Sequence, residues 1–425
     1  MFAETKLKQI TGSLPWLARY PFWRLADLLR TRASKGPSHV ILTIANHFEP
    51  GYNEEPNAHG GFGVTLDWST QMSRLDRWCE QARKIGAAVR DHDGTPFRHT
   101  NFYPAEQYHK PLLDQLAALQ AEGLGEIEIH LHHGVDKPDT PESFKRVLVD
   151  FRDVLAQEHK CLSRLTEDGM PMYAFVHGNW ALANSANGRF CGVDSEMQIL
   201  AETGCYADLT LPSAPDVSQV PRINAIYQCG HPLDEQSPHR SGPNLRVGRQ
   251  PTLPIILTGP LLFDWQRRKA GAPLPRLENG ALTAKSPLTL STFQLWRDAH
   301  IGVRGKADWI FVKLYCHGFF DADQPAVIGS EMTHFLREVL DFADRTGQFK
   351  LHFATAREVF NMVSAAIDGH EGNPGAYRDY RLRPIMSIGH SEPTEINFPK
   401  REAQNPALTG PSRTGRLFSH FDYIN

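Results

Sequence analysis

The segment EIEIHLHHGVD, Glu126–Asp136, carries His130, His132 and His133 directly after alternating acidic and apolar residues. Burying an imidazole without a partner is costly, so a cluster of this kind demands one, and a metal ion answers that demand. Residues of equal parity share a face of a strand. Glu128, His130 and His132 therefore point one way, while Ile127, Ile129, Leu131 and His133 point the other. Two neutral imidazoles two residues apart can hold one ion, at about 2.0–2.1 Å for zinc. An imidazole-rich donor set suits zinc, nickel or cobalt, and zinc is the first expectation.

The same parity test applies elsewhere. In FVKLYCHG, Lys313, Tyr315 and His317 share one face and Val312, Leu314 and Cys316 the other. In YAFVHGNW, His177 and Asn179 share a face at the strand's end, with Trp180 next to them. Asp208 sits within CYADLTLP, where burial would require a partner such as Lys313. In ANHFEP, His47 and Glu49 share parity, and both are candidate ligands or acid–base groups.

These residues need elements to hold them. HVILTIAN, PFRHTNFYPA, EIEIHLHH, MYAFVHGN, CYADLTLP, DWIFVKLYCHG and KLHFATA read as strands, with helical stretches between them. Thr140 followed by Pro141 marks one helix start, and Thr355 with Glu358 is spaced as a capping box at another. Strand–helix alternation of this kind predicts parallel β/α units. The rhythm breaks between about 213 and 290, where INAIYQC and LPIILTG look too isolated for core strands. The expectation is one long insertion forming a hairpin lid over the carboxyl end of the barrel. Its Arg222, Arg240, Arg246 and Arg249 would face a polar or anionic glycan. The stretch 370–425 is expected to be an irregular tail.

The chain has 425 residues and a formal net charge of −3, without the concentrated basic face that nucleic-acid binding needs. Six scattered cysteines with no CxxC pair fit free thiols in a reducing compartment, here read as the cytoplasm. The first 36 residues lack the continuous apolar core of a signal peptide. Arg19, Arg24, Asp27 and Arg30 also interrupt any spanning segment. Trp16, Phe22, Trp23, Leu25 and Leu29 would line one side of a helix. That helix is expected to cap the barrel rather than to rest on a membrane surface.

The order of TIANHFEP, EIHLHHG, FVHGNWAL, GCYADLTLP and VKLYCHG resembles the five strand-end motifs of the polysaccharide deacetylase (NodB-homology) superfamily. The resemblance covers roughly residues 39–365. It implies a distorted (β/α)7 TIM-like barrel over 37–369, a divalent metal cofactor and a carbohydrate substrate. By the same resemblance, His317 falls on the general-acid histidine and Asp208 on the carboxylate that tunes it. The chain departs from the family where Ala45 and Asn46 replace the motif aspartates and Gly134 stands where a second histidine is expected. His177, Gly178 and Asn179 replace the arginine motif.

The reading is a metal-dependent hydrolase removing an acyl group from an amino sugar or a related C–N bond. His47, His130 and His132 are the expected ligands, with Glu49 as a fourth ligand or the base. His317 would protonate the leaving amine. Trp180 and Tyr315 would stack on a sugar, and Asn179 and Lys313 would bind its polar groups. One alternative is an amidohydrolase-type metalloenzyme, although the HxH of that group lies on the first barrel strand. The other is a non-catalytic saccharide-binding barrel, suggested by the missing aspartates.

Overall fold

The computed structural model of the chain describes residues 14–25, 37–52, 67–268 and 275–387. In chain order the strands are β1 (Ser38–His47), β2 (His99–Pro104), β3 (Gly125–Leu131), β4 (Ser163–Arg164), β5 (Tyr173–His177), β6 (Cys205–Asp208), β7 (Ile226–Gln228), β8 (Ile255–Leu257), β9 (Leu262–Arg268), β10 (Pro275–Glu278), β11 (Ala281–Leu282), β12 (Trp309–Cys316), β13 (Phe349–Phe353) and β14 (Arg383–Pro384). The helices are α1 (14–25), α2 (Trp68–Ala88), α3 (Lys110–Ala121), α4 (Pro141–Gln157), α5 (Glu196–Glu202), α6 (Leu290–Asp298), α7 (Gln324–Val327), α8 (Ser330–Thr346) and α9 (Ala356–Ile367).

The central sheet runs β11-β12-β1-β2-β3-β5-β6-β8-β7 and is mostly parallel. One edge of β1 pairs with β12 along nearly its whole length. The other edge is divided, with β13 on residues 38–42 and β2 on 45–47. This is a mixed α/β fold. Among the described residues, no strand pairing joins the β7 flank to the β11 flank.

Pleat parity sorts the core into two layers. Val40, Leu42, Ile44, Ile127, Ile129 and Phe175 pack under the outer helices through Trp78, Leu116, Phe144 and Phe335. Ile41, Ala45, Phe102, Val176, Tyr206 and Phe311 face the other way, onto Val359, Phe360 and Val363 of α9. Every residue of α9 is buried. Its Thr355 cap and Arg357 reach Glu126 near the start of β3, and the Ala356 amide reaches Thr100 near the start of β2. Thus α9 fills the amino end of the inner face. The expected caps are present: Thr140 Oγ1 accepts from the Ser143 amide at 3.2 Å, and Thr355 with Glu358 closes a capping box.

Two expectations change. LPIILTG is a core strand, because β8 pairs in parallel with β6 and carries β7 antiparallel beside it. The 213–290 stretch is therefore not a single lid. β9 and β10 do form a hairpin, and Gly280 accepts from the Tyr315 amide at the carboxyl end of β12. Val247, Gly248 and Gln250, however, bond to Arg304, Ile367 and Asp368, around the last turn of α9. Arg246 and Arg249 flank these contacts, and Arg222 is spent on Asn244 and the Tyr227 ring. Residues 370–387 are mainly turns and short 3-10 segments, and they are fixed to the fold: Arg357 and Asn361 hold the Leu382 carbonyl, and β14 pairs with β4. The tail from 388 onward lies outside the described residues.

The α1 helix packs Trp16, Leu17, Tyr20 and Trp23 against Leu261, Phe263 and Leu277 of the hairpin region. Of the expected apolar side, Trp16 and Trp23 are packed there, while Phe22 and Leu25 are exposed. Leu29 and Arg30 lie outside the described residues. No helix among the described residues is long and apolar enough to cross a membrane.

Candidate metal centre

The last residue of β1 delivers His47 to the inner face, and the chain turns immediately so that Glu49 follows it inward. That turn is firmly held. Phe48 packs on Trp78, Tyr103 and Phe319, and its amide bonds to the Phe102 carbonyl at 2.9 Å. Arg74 reaches the Tyr52 carbonyl at 2.7 Å, and Gln107 accepts from the Gly51 amide at 3.1 Å. His130 ends the inner row of β3, and His132 lies just past the strand.

These side chains converge. His130 Nε2 lies 2.9 Å from Glu49 Oε1, and His132 Nε2 lies 3.3 Å from the same oxygen. His317 Nε2 is 3.9 Å from Glu49 Oε2. The His47 ring lies 4.8 Å from that of His130 and 4.6 Å from that of His317. His47, Glu49 and His130 each offer a donor atom within 4.8 Å of the others.

The protons can be placed by their partners. A carbonyl can only accept, so His130 Nδ1 carries the hydrogen it gives to Val176 O at 2.7 Å. His132 Nδ1 faces the Glu106 carboxylate at 2.5 Å in the same sense. Both Nε2 atoms are then turned on one carboxylate oxygen, while the other, Glu49 Oε2, is buried with no hydrogen-bond partner. Neutral rings so oriented would turn lone pairs on the carboxylate, a conflict relieved by a second proton on a ring or by a cation between them, and nitrogen–oxygen donors with carboxylate and carbonyl supports suit a divalent transition ion.

Charge distribution agrees. Burial pushes the Glu49 carboxyl up, but the His130 hydrogen bond and the nearby imidazoles outweigh it and hold it at about 2. Burial, then His317 and His130, drives His47 well below its ordinary value, so it stays neutral. Burial also opposes charge on His132, yet Glu106 and Glu49 raise it. His317 is lowered by burial against the pull of Glu49. Its side chain is 27% exposed, against 9% or less for His130, His132 and Glu49, so the site opens to solvent on the His317 side.

The other expected residues fall differently. Asp208 does not tune His317. Its carboxyl is bound by Thr210, Oγ1 at 2.8 Å and N at 3.1 Å, and burial raises it to about 7. Lys313 makes no ion pair with Asp208 among the described residues; it is buried and gives a hydrogen to Leu211 O at 2.9 Å. Its ammonium is thus not offered to a substrate. Tyr315 is also buried, 6.3 Å ring to ring from His47, and its hydroxyl accepts from Asn279 at 3.1 Å. That leaves little of its ring for a sugar.

Asn179 and Trp180 are half-buried. They follow Gly178, where a Cβ would fall 2.3 Å from a ring carbon of His132. Both residues therefore begin at the rim of the site.

Sequence reasoning missed Glu106, which orients His132 from the turn after β2, and Asn46. The Asn46 side chain points to the outer face and accepts from the Gly318 amide at 2.9 Å, fixing the backbone beside His317. The polar residue Asn46 at a position otherwise given to outward apolar side chains was the available signal. A further cluster, Asp91, Asp93 and His352, lies toward the amino end near β13 and is already neutralised by Arg378 at 3.1 and 3.2 Å.

Comparison with protein-family models finds no match, and comparison with curated proteins finds none. Among solved structures the chain is similar to one described as a "putative polysaccharide deacetylase from Mycobacterium smegmatis". The identity is 13% and the TM-score 0.40, over 79% of this chain and 93% of that one.

Proposed function

We propose that the chain is a metal-dependent hydrolase that removes an acyl group from the nitrogen of an amino sugar. The observation that carries this reading is the convergence of two proton-committed imidazoles on Glu49 Oε1, beside the unpartnered Oε2 and a solvent-facing His317. His47, His130 and His132 would hold the ion with Glu49, and zinc leads the ions that such donors take. A divalent ion there supplies a Lewis acid and brings the pKa of bound water toward about 7.

The chain's own residues divide the remaining work. Glu49, ionised, either completes the ligand set or, through its second oxygen, accepts the proton of the attacking water. His317, at the open side, hands a proton to the departing amine, which calls for a histidine near neutrality. Asn179 and the Trp180 ring meet the sugar at the rim. The motif order points to the acylated-sugar class, and the missing aspartates are replaced by His47 and Glu49.

The test is acetate release from N-acetylated hexosamine oligomers by zinc-loaded protein and by chelator-treated protein. Release only by the loaded form is the expected result. A loaded protein that frees no acetate from such oligomers overturns the substrate assignment.

A further inference from the structure

A second donor cluster lies on the opposite side of the sheet. His133 and His177 both face outward, and the His133 ring stacks on Phe144 of α4 at 4.5 Å. His133 Nδ1 is directed at the Asp139 carboxylate at 3.1 Å, and His177 Nδ1 at the Gly178 carbonyl. Their Nε2 atoms meet at 3.0 Å. Each lies 3.5 Å from a different oxygen of Glu196, and Cys191 Sγ lies 3.3 Å from Glu196 Oε2. All four side chains are buried. The four donor atoms lie within 4.8 Å of one another.

Both Nδ1 hydrogens are committed, so two ring nitrogens with free lone pairs would confront each other unless a proton or a metal ion stands between them. Glu196 Oε1 is buried with no hydrogen-bond partner. His239, fully buried and close enough to feel Glu196 and His177, has both ring nitrogens unpartnered. The Val193 amide donates to Cys191 Sγ at 3.5 Å. The close approach is built in: a Cβ on Gly134, whose φ is +64°, would fall 2.1 Å from the Cys191 carbonyl oxygen.

We propose that His133, His177, Cys191 and Glu196 form a second, structural site for a divalent transition ion of the zinc class, distinct from the inner centre. Two imidazoles, one thiolate and one carboxylate make a closed four-donor set, and its two negative charges cancel those of the ion. Cancellation matters because an uncompensated charge at this depth is expensive. As the ion enters, the Cys191 proton and any proton between the two imidazoles leave to solvent. The ion would tie the ends of β3 and β5 to the loop before α5, and so fix the backbone that carries His132.

Sulfur distinguishes the two centres, since the inner donors contain none. Chelator-treated wild-type protein is titrated with Co²⁺ alone. A near-ultraviolet sulfur-to-cobalt charge-transfer band, saturating with about one equivalent, is expected. Cys191→Ser is expected to abolish the band while Co²⁺ still binds the inner histidines. Zinc-edge X-ray absorption on the zinc-loaded wild type is expected to show sulfur at about 2.3 Å. A saturated wild-type protein with no band and only nitrogen and oxygen around zinc overturns the proposal. So does a band that persists in Cys191→Ser. The wild-type measurements stand even where the variant does not fold, and they are independent of whether the inner centre turns over a sugar.

Discussion

His132 and His133 are consecutive, yet their imidazoles serve opposite sides of the sheet: His132 Nε2 lies 3.3 Å from Glu49, and His133 Nε2 lies 3.0 Å from His177. One short segment therefore links the two donor clusters, and substitutions in it separate their roles.

Replacing His130 and His132 together by alanine removes two of the donors aimed at Glu49. Bound metal is expected to fall by about one equivalent, because the remaining His47 and Glu49 leave fewer ligands than zinc sites require. Mass spectrometry of the purified variant measures this, and an unchanged metal content would refute the inner centre.

His317→Gln tests proton delivery. His317 stands farther from Glu49 than His130 does, 3.9 Å against 2.9 Å, and is partly exposed. Turnover on an acetylated sugar is expected to drop by about 10²–10⁴-fold with the metal retained. Loss of metal together with activity would make His317 a ligand instead. Full activity with full metal would end the acid assignment.

Gly178→Ala places a methyl 2.3 Å from the His132 ring, well inside contact distance. Either the ring or the strand end must shift, at a cost of about 1–3 kcal/mol for overpacking. Weaker binding of the inner ion is the expected accompaniment, read by competition with a chelator. Wild-type affinity and stability would show that Gly178 is not required beside His132.

Lys313 is lowered to about 7, because burial penalises its charge more than Asp208 relieves it. The unfolded chain holds this proton up to about pH 10.4, whereas the folded chain releases it near 7. Between those values the unfolded state binds more protons, so stability from this group rises with pH, at up to about 1.4 kcal/mol per unit. Below pH 7 the penalty is full and constant. Lys313→Met is expected to flatten the slope between pH 7 and 10, measured by urea unfolding. An unaltered slope would mean the buried ammonium finds compensation that its contact with Leu211 does not provide.

The amino-acid sequence by itself determined which way each histidine faces. A pleated strand alternates its side chains without reference to the rest of the molecule, so His130 and His132 were separable from His133 by counting. It likewise determined the helix starts at Thr140 and Thr355, where capping is local chemistry. Tertiary structure decided everything that depends on which strand ends become neighbours. Motif order suggested that Asp208 serves His317, but Thr210 two residues away claims the carboxyl first. LPIILTG looked isolated because its parallel partner, β6, is about 50 residues earlier along the chain, a separation that no local pattern reveals. Glu106, Cys191 and Glu196 carry no signal of their own; they come from turns and a short helix, and become donors or supports only when folding brings those segments onto the strand ends. Long-range burial also removed Lys313 and Tyr315 from the substrate surface, since parity gives the face of a side chain but not the depth at which that face is covered.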